Sequence, residues 1–305
     1  MLDKIVRRLG FGSPEAPSIP GMQVIDWCVN ELKSGNTTIA LCHRDSALYV
    51  VSYKQSCPDE MHIDSVDLTT VFPSYKAQFA LYHLKHSEEK ELVSVKRTQI
   101  LDLVAAAKDP IAAQSTSPSV ITNHEASICN RLSSKPHPNV VQFVGVQVSV
   151  ELTFDHKGAK IQVPLPETSV TGLVFEKYDC TLDELVIRGQ KVDVKLCLKS
   201  VAAAVQYLHR MALVHGDLSP HNIFVTRGNE CNHFVLGELA SAQNTGEVIT
   251  FKTSDNRWSR RKRAGINQAE EEDDWYAFRK LTEWLVSETG GKVEDYADIE
   301  ASARR

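Results

Sequence analysis

The spacing of hydrophobic residues changes character part-way along the chain. Up to about residue 176 the apolar positions fall in short, β-branched, partly alternating runs bounded by turn-forming residues, the pattern of half-buried strands. Such runs cover 37–43 and 47–54, around Arg44-Asp45-Ser46, which reads as a hairpin. They recur at 65–71, 78–84 and 92–96, with Ser87-Glu88-Glu89-Lys90 turning between the last two. A further pair, 140–154 and 159–164, brackets Asp155-His156-Lys157-Gly158, whose Asp and Gly suit a tight turn. Residues 170–176 add one more strand. Helical spacing is predicted at 23–33, 98–108 and 122–133; the last carries Ile128 and Leu132 on one face and stops at Lys135-Pro136-His137-Pro138, where proline cannot continue it. Beyond residue 176, Val194, Leu198, Val201, Val205 and Leu208 recur at steps of four and three, a strong amphipathic helix. Strands first and helices later predict an α+β domain with a sheet lobe and a helical lobe.

Composition narrows the picture only a little. The chain of 305 residues is 42% apolar and 24% charged, with a net charge of −5, so no nucleic-acid partner is indicated. It has no apolar run of about eighteen residues, so no membrane span is expected. Residues 1–10 set Lys4, Arg7 and Arg8 among Leu2, Ile5, Val6 and Leu9. This reads as a short amphipathic helix rather than a secretory signal, packed on the domain or touching a membrane surface. A Pro/Gly/Ser linker follows at 12–22, and residues 1–60 read as an extension before the main domain. Seven cysteines with no CxxC pair suggest free thiols in a reducing, cytoplasmic setting.

The chemistry concentrates where the amphipathic helix ends. The run Leu213-Val214-His215-Gly216-Asp217-Leu218-Ser219-Pro220-His221-Asn222-Ile223-Phe224-Val225 leads directly into a β-run. A tight loop between helix and strand can aim a carboxylate and an amide oxygen at one point. Phosphoryl transfer needs both, one to orient the attacking hydroxyl and one to hold a metal. The segment resembles the catalytic loop of the protein-kinase superfamily, in which an HRD triplet is followed by four residues and an Asn. Other segments match that family in order. Val93-Ser94-Val95-Lys96 is similar to its VAIK strand, Glu125 to the helix glutamate that pairs with the lysine, and His137-Pro138-Asn139-Val140-Val141 to its HPNIV segment. Gly172-Leu173-Val174-Phe175-Glu176-Lys177-Tyr178 resembles the hinge strand, and Asp274-Trp275-Tyr276-Ala277-Phe278 the helix whose Asp braces the catalytic loop.

The resemblance implies a two-lobed kinase-like fold with a β-rich N-lobe at 61–176 and a shortened helical C-lobe at 177–305. It implies ATP and Mg²⁺ as cofactors, with Asp217, Asn222, Lys96 and Glu125 as catalytic residues. Lys96, Ser94, Phe175, Glu176, Tyr178 and Phe224 would line the nucleotide, Phe175 as gatekeeper and Glu176 and Tyr178 through their backbones. Asn222 and Glu238 would hold metal. The chain also departs from the pattern. No glycine lies between Gly35 and Gly145, and Phe72-Pro73-Ser74-Tyr75-Lys76-Ala77 stands where a glycine-rich phosphate loop is expected. The DFG triplet reads Glu238-Leu239-Ala240, with a shift of one residue putting Gly237 in the Asp position. Gly216 and Ser219 replace the usual Arg and Lys, no APE motif is present, and Phe224 replaces a smaller Leu beneath adenine. The basic run at 257–263 reads as a solvated loop, a nuclear signal or a dock for an acidic substrate. Two functions lead: phosphoryl transfer to a protein Ser or Thr, or a pseudokinase that binds a regulatory protein partner with little or no catalysis; a third, phosphorylation of a small molecule, is favoured by the His215-Gly216-Asp217 variant and disfavoured by the HPN and hinge segments.

Overall fold

The structure, a computed structural model of the whole chain, describes residues 17–32, 35–82, 93–97, 117–156, 159–228, 231–249, 257–260 and 268–305. The expected helices at 1–10 and 98–108, the turn at 87–90, the first part of the loop at 12–22 and most of that at 109–119 lie outside them. The chain divides into two compact units: residues 1–75, 97–120 and 148–171 in one, and 76–96, 121–147 and 172–305 in the other. This division interleaves the sequence, whereas the expected boundaries fall at 60 and 176.

In the first unit, strands β1 (Gln23–Leu32), β2 (Gly35–Arg44), β3 (Ala47–Lys54) and β4 (His62–Ser65) form an antiparallel sheet in sequential order. The hairpin predicted around Arg44-Asp45-Ser46 is present. Asp45 and Ser46 take φ of 51° and 61°, the left-handed pair a two-residue turn needs to match strand twist. The helix expected over 23–33 is instead β1, paired to β2 from Gln23↔His43 to Leu32↔Gly35 with a register shift between Val24 and Asp26. The run is rich in β-branched and aromatic residues, and the partner strand supplies a ladder that its apparent helical spacing did not anticipate. The strand expected over 65–71 ends at Ser65, because the Asp67 carboxylate accepts from Thr69 N at 3.0 Å and starts a single 3₁₀ turn. One face of the sheet buries Leu41, Leu48 and Val50 against Phe72, Ile161, Val163 and Leu165. The segment at 73–75 then runs beside residues 168–170, bonded from Tyr75 N to Thr168 O and from Val170 N to Pro73 O.

The second unit carries the predicted chemistry. Strands β5 (Val93–Arg97), β6 (Phe143–His156) and β7 (Ala159–Glu176) form a sheet in the order β5-β7-β6; most of β6 and β7, residues 148–156 and 159–171, belongs to the first unit. The two strands expected at 159–164 and 170–176 are thus one, continuous through Pro164 and Pro166. Of the run expected at 78–84, the described part makes a single bridge, Leu81 to Val146. Helix α1 (Pro118–Ser133) is capped by the Ser117 hydroxyl on Val120 N, with proline at its first position. Helix α2 (Leu182–Ile187) opens on a Thr181/Glu184 capping box. Helix α3 (Val194–Arg210) buries Leu198, Val201, Val205 and Leu208 on the face read from the sequence. Short strands β8 (Cys180–Thr181), β9 (Leu213–Val214), β10 (Ile223–Thr226), β11 (His233–Leu236) and β12 (Gln243–Asn244) pair around the loop at 215–222. Helix α4 (Glu271–Thr289) and α5 (Ala297–Ala303) complete the unit. Among the described residues no helix is long and apolar enough to cross a membrane.

Candidate functional site

The loop at 215–222 is held from beneath by one buried carboxylate. Asp274, in the first turn of α4 and 1% exposed, accepts from His215 N at 2.8 Å, Gly216 N at 2.9 Å and His209 Nε2 at 2.9 Å. Burial by itself raises the Asp274 pKa. The His209 hydrogen bond and charge, with His215 and Gly216, outweigh it and hold the carboxyl below its ordinary value. Above this floor, His215 Nε2 donates to Gly237 O at 2.8 Å, and Asp217 N donates to His215 Nδ1 at 3.2 Å. Asn222 Nδ2 donates to Asp217 O at 2.7 Å, and Gly237 N donates to Asn222 O at 2.9 Å. The hydrogen bonds therefore fix the backbone of Asp217 and Asn222 and tie it to the strand end that carries Glu238. Among the described residues no donor is placed on the Asp217 carboxylate.

Lys96 on β5 meets two carboxylates. Its ammonium lies 2.7 Å from Glu125 on α1 and 2.5 Å from Glu238. The Lys96 side chain is 40% exposed and that of Glu125 only 3%, so the pair joins a partly open lysine to an enclosed carboxylate. Burial of the ammonium pulls its pKa down, but Glu125 and then Glu238 outweigh it, and Lys96 stays charged above the ordinary lysine range. Burial pushes the Glu125 carboxyl upward; Lys96 opposes this and Glu238 adds to it. One cation between two carboxylates leaves one surplus negative charge. Glu238 has φ 60° and ψ 70°, a left-handed conformation costing a non-glycine residue on the order of 1–2 kcal/mol. The ion pair with Lys96 fits the reading of Glu238, rather than Gly237, as the residue in the acidic position.

Helix α1 is fastened by more than Glu125. His124 Nε2 donates to Ala242 O at 2.6 Å, Arg131 donates to Asn244 Oδ1 at 2.9 Å and also to Met211 O, and Tyr207 Oη donates to Lys135 O at 2.5 Å. Near the end of β7, Phe175 is buried with its ring 5.6 Å from Phe143. Glu176 is exposed, and its N donates to Gln142 O at 3.0 Å. Tyr178 does more than lend an amide. Its hydroxyl accepts from Gln142 N at 3.1 Å and its ring stacks on Phe224 at 5.6 Å and 26°. Ser94 lies exposed on β5, two residues before Lys96. Phe72 is buried in the core of the first unit.

The structure thus brings Lys96, Glu125, Glu238, Asn222 and Asp217 into one connected set, all in the second unit. Sequence reading missed His209, and raised Gly237 only as the alternative to Glu238 in the acidic position, not for its bonds to His215 and Asn222. A histidine in the last turn of an amphipathic helix, just ahead of the loop, was the available signal for the first. For Gly237 the signal was a glycine at the end of a strand, where no turn requires one.

A lysine paired to a helix glutamate is linked, through Glu238 and the Gly237–Asn222 bond, to a loop that carries an Asp and an Asn. Comparison with known proteins names the class: the protein kinase domain family matches residues 81–255. The chain belongs to that family. It is 28% identical over 142 residues to cyclin-dependent kinase 4 of Xenopus laevis, covering 43% of this chain and 40% of the relative. It is 27% identical over 144 residues to the Ovis aries protein of the same name, covering 43% and 42%, and 28% identical over 115 residues to that of Mus musculus, covering 35% and 33%. The chain spans less than half the length of these curated relatives.

Proposed function

We propose that the chain is a divergent protein kinase that transfers the terminal phosphoryl group of ATP to a Ser or Thr of a protein, with Mg²⁺. The observation that carries this reading is the Lys96 ammonium held by Glu125 and Glu238. Glu238 follows Gly237, whose N bonds to Asn222 O, in the loop that presents Asp217. The donor set suits the cofactors. A partly exposed lysine is matched to phosphate, and a surplus carboxylate charge beside a side-chain amide is matched to a divalent cation. Among the described residues no three His, Cys, Asp or Glu side chains cluster as a metal site, so Glu238 and Asn222 would share the ion with phosphate oxygens. When bound, the metal supplies neutralisation of charge building on the phosphate. Lys96 orients that phosphate, Glu125 fixes Lys96, and the Asp217 carboxylate accepts a hydrogen bond from the attacking hydroxyl and receives its proton. Residues 61–176 and 177–305 serve as the two lobes in this reading. The protein acts in the cytoplasm on a protein substrate or with a regulatory protein partner; its relatives' name marks them as dependent on a cyclin.

A second reading, a binding scaffold with little catalysis, is favoured by one observation. The chain has no glycine from 36 to 144, so backbone amides approach phosphate less easily than a glycine loop allows. Phosphate transfer to a mixed protein substrate, followed with and without Mg²⁺, separates the two. Metal-dependent transfer that disappears in Asp217→Asn supports the enzyme. Retained transfer in that variant removes the mechanism, and none in the wild type leaves the scaffold.

A further inference from the structure

Helix α4 carries a second stripe, apart from the carboxylate that braces the catalytic loop. Tyr276, Lys280, Glu283 and Trp284 share one face at helical spacing. With Arg257 and Trp258, from the segment ahead of the helix, they line a cavity of about 380 Å³, inside the roughly 300–1,000 Å³ range of binding clefts. Trp258 is 7% exposed, and its ring meets that of Trp284 edge-on at 6.4 Å and 74°. Two cations already lie over the rings. The Arg257 guanidinium is 6.0 Å from the centre of Trp258, and the Lys280 ammonium is 5.8 Å from that of Tyr276. Lys280 also pairs with Glu283 at 2.7 Å, but both side chains are at least 34% accessible, and a surface pair of that kind is readily exchanged.

The walls select the occupant. An incoming lysine or arginine meets like charge over the very rings that would otherwise attract it. A carboxylate gains both cations, and an aromatic side chain gains edge-to-face packing on the tryptophans. The local charge also opposes the chain's net charge of −5, and Arg261-Lys262-Arg263 continue the basic run in sequence. The chain's own acidic run is engaged elsewhere. Glu270 and Asp273 pair with Arg260, Glu272 with Arg279 and Arg304, and Asp274 with the catalytic loop, while Glu271 lies 3.7 Å from His209. Resting on the phosphotransfer reading above, we infer that this cleft docks the protein substrate through a segment bearing Asp or Glu beside an aromatic residue. That segment stands apart from the acceptor hydroxyl. Trp284 lies about 15 Å along the helix from Asp274, at about 1.5 Å per residue, and Asp274 holds the amides of His215 and Gly216 next to Asp217. An extended chain crosses such a span in about five residues, so the acceptor Ser or Thr sits at least about that far from the docking element.

Fluorescence anisotropy on the full chain, without ATP or Mg²⁺, tests this with two labelled probes: a random copolymer of glutamate and tyrosine, and one of glutamate and alanine. The tyrosine copolymer should bind, more tightly than the alanine copolymer and less tightly as salt rises. Lys280→Glu should weaken it by about tenfold, and Trp284→Ala by about as much. Lys280→Glu changes a surface group and should melt like the wild type, so it carries the test if Trp284→Ala does not fold. Wild-type affinity in a folded Lys280→Glu, or equal binding of the two copolymers, would overturn the dock. Phosphate transfer to a mixed protein substrate, measured beside it, separates this inference from the reading on which it rests. Transfer without copolymer binding ends the dock alone. Copolymer binding that responds to both substitutions, with no transfer, keeps the cleft as an acidic-peptide site and removes the kinase reading.

Discussion

Replacing Asp274 by alanine removes the group on which the catalytic loop rests. The carboxylate accepts three hydrogen bonds between 2.8 and 2.9 Å and is 1% exposed. Bonds to a charged acceptor are each worth roughly 1.5–3 kcal/mol net. Their simple sum overstates the loss, because burying the carboxylate was itself costly. Breaking a buried, bonded charge by removing one partner costs about 3–5 kcal/mol, and alanine leaves the amides of His215 and Gly216 without an acceptor. About 4 kcal/mol is expected, or a fall in Tm of about 10 °C at this size. Asp274→Asn keeps the shape, but its NH₂ faces a donor, so at least half the loss should remain. The pH dependence has a definite sign. The folded pKa is depressed, so the stabilisation is fully present above the unfolded value of about 3.9 and is lost as pH falls through the folded one. Thermal and urea unfolding of wild type and Asp274→Ala should therefore converge under acid conditions and stand furthest apart near neutrality. A gap below about 1 kcal/mol at pH 7 would refute the bracing role.

Two further outcomes follow from buried groups. Lys96→Met leaves Glu125 enclosed without its cation; since burial already pushes that carboxyl up, its neutral form is favoured, and stability is kept at low pH and lost as pH rises. The Tm deficit of Lys96→Met should thus widen from pH 5 to pH 8, and adding Glu125→Gln should flatten it; a deficit independent of pH would exclude an unpaired Glu125. Burial raises the Cys42 thiol to about 11 and also raises Cys129 and Cys197. In the native state at pH 8 a thiol reagent should therefore label the exposed Cys57 and Cys231 well before these three, and rapid labelling of Cys42 would contradict its place in the sheet core.

How far these features could be read from sequence depended on whether the signal was local. Helix α3 was legible because its burial follows its own period. The β2–β3 hairpin was legible because its turn residues announce it. Strand β1 was not: its residues suit either period, and the deciding term is the ladder to β2. The site divided in the same way. Asp217 and Asn222 lie in one short motif, whereas the link from Lys96 to Glu238 spans most of the domain and was reached only through resemblance. The packing of Phe224 on Gly237, where a Cβ would lie 2.6 Å from the ring, left no motif, since a clash avoided is visible only once both residues are in place.

Glu238 decides between enzyme and scaffold, and its present partner does not stand in the way. The Lys96–Glu238 pair is half-exposed, with both side chains at least 35% accessible, and pairs of that kind contribute only about 0–1 kcal/mol. A nucleotide arriving with Mg²⁺ offers Lys96 phosphate oxygens in exchange for one carboxylate, and offers Glu238 a doubly charged partner in exchange for the ammonium. Glu125 keeps its hold on Lys96 throughout, so the lysine need not move far. Glu238→Gln preserves the side chain's length and removes the charge that the metal needs. Transfer should fall at least about 100-fold, or demand far more Mg²⁺, while nucleotide affinity measured without metal stays level or rises, because one negative charge has left the neighbourhood of the phosphates. Assaying transfer against Mg²⁺ concentration beside metal-free binding reads both quantities. Unchanged metal dependence in Glu238→Gln would mean that the ion, if it acts at all, is held elsewhere, and that Glu238 serves only to restrain Lys96.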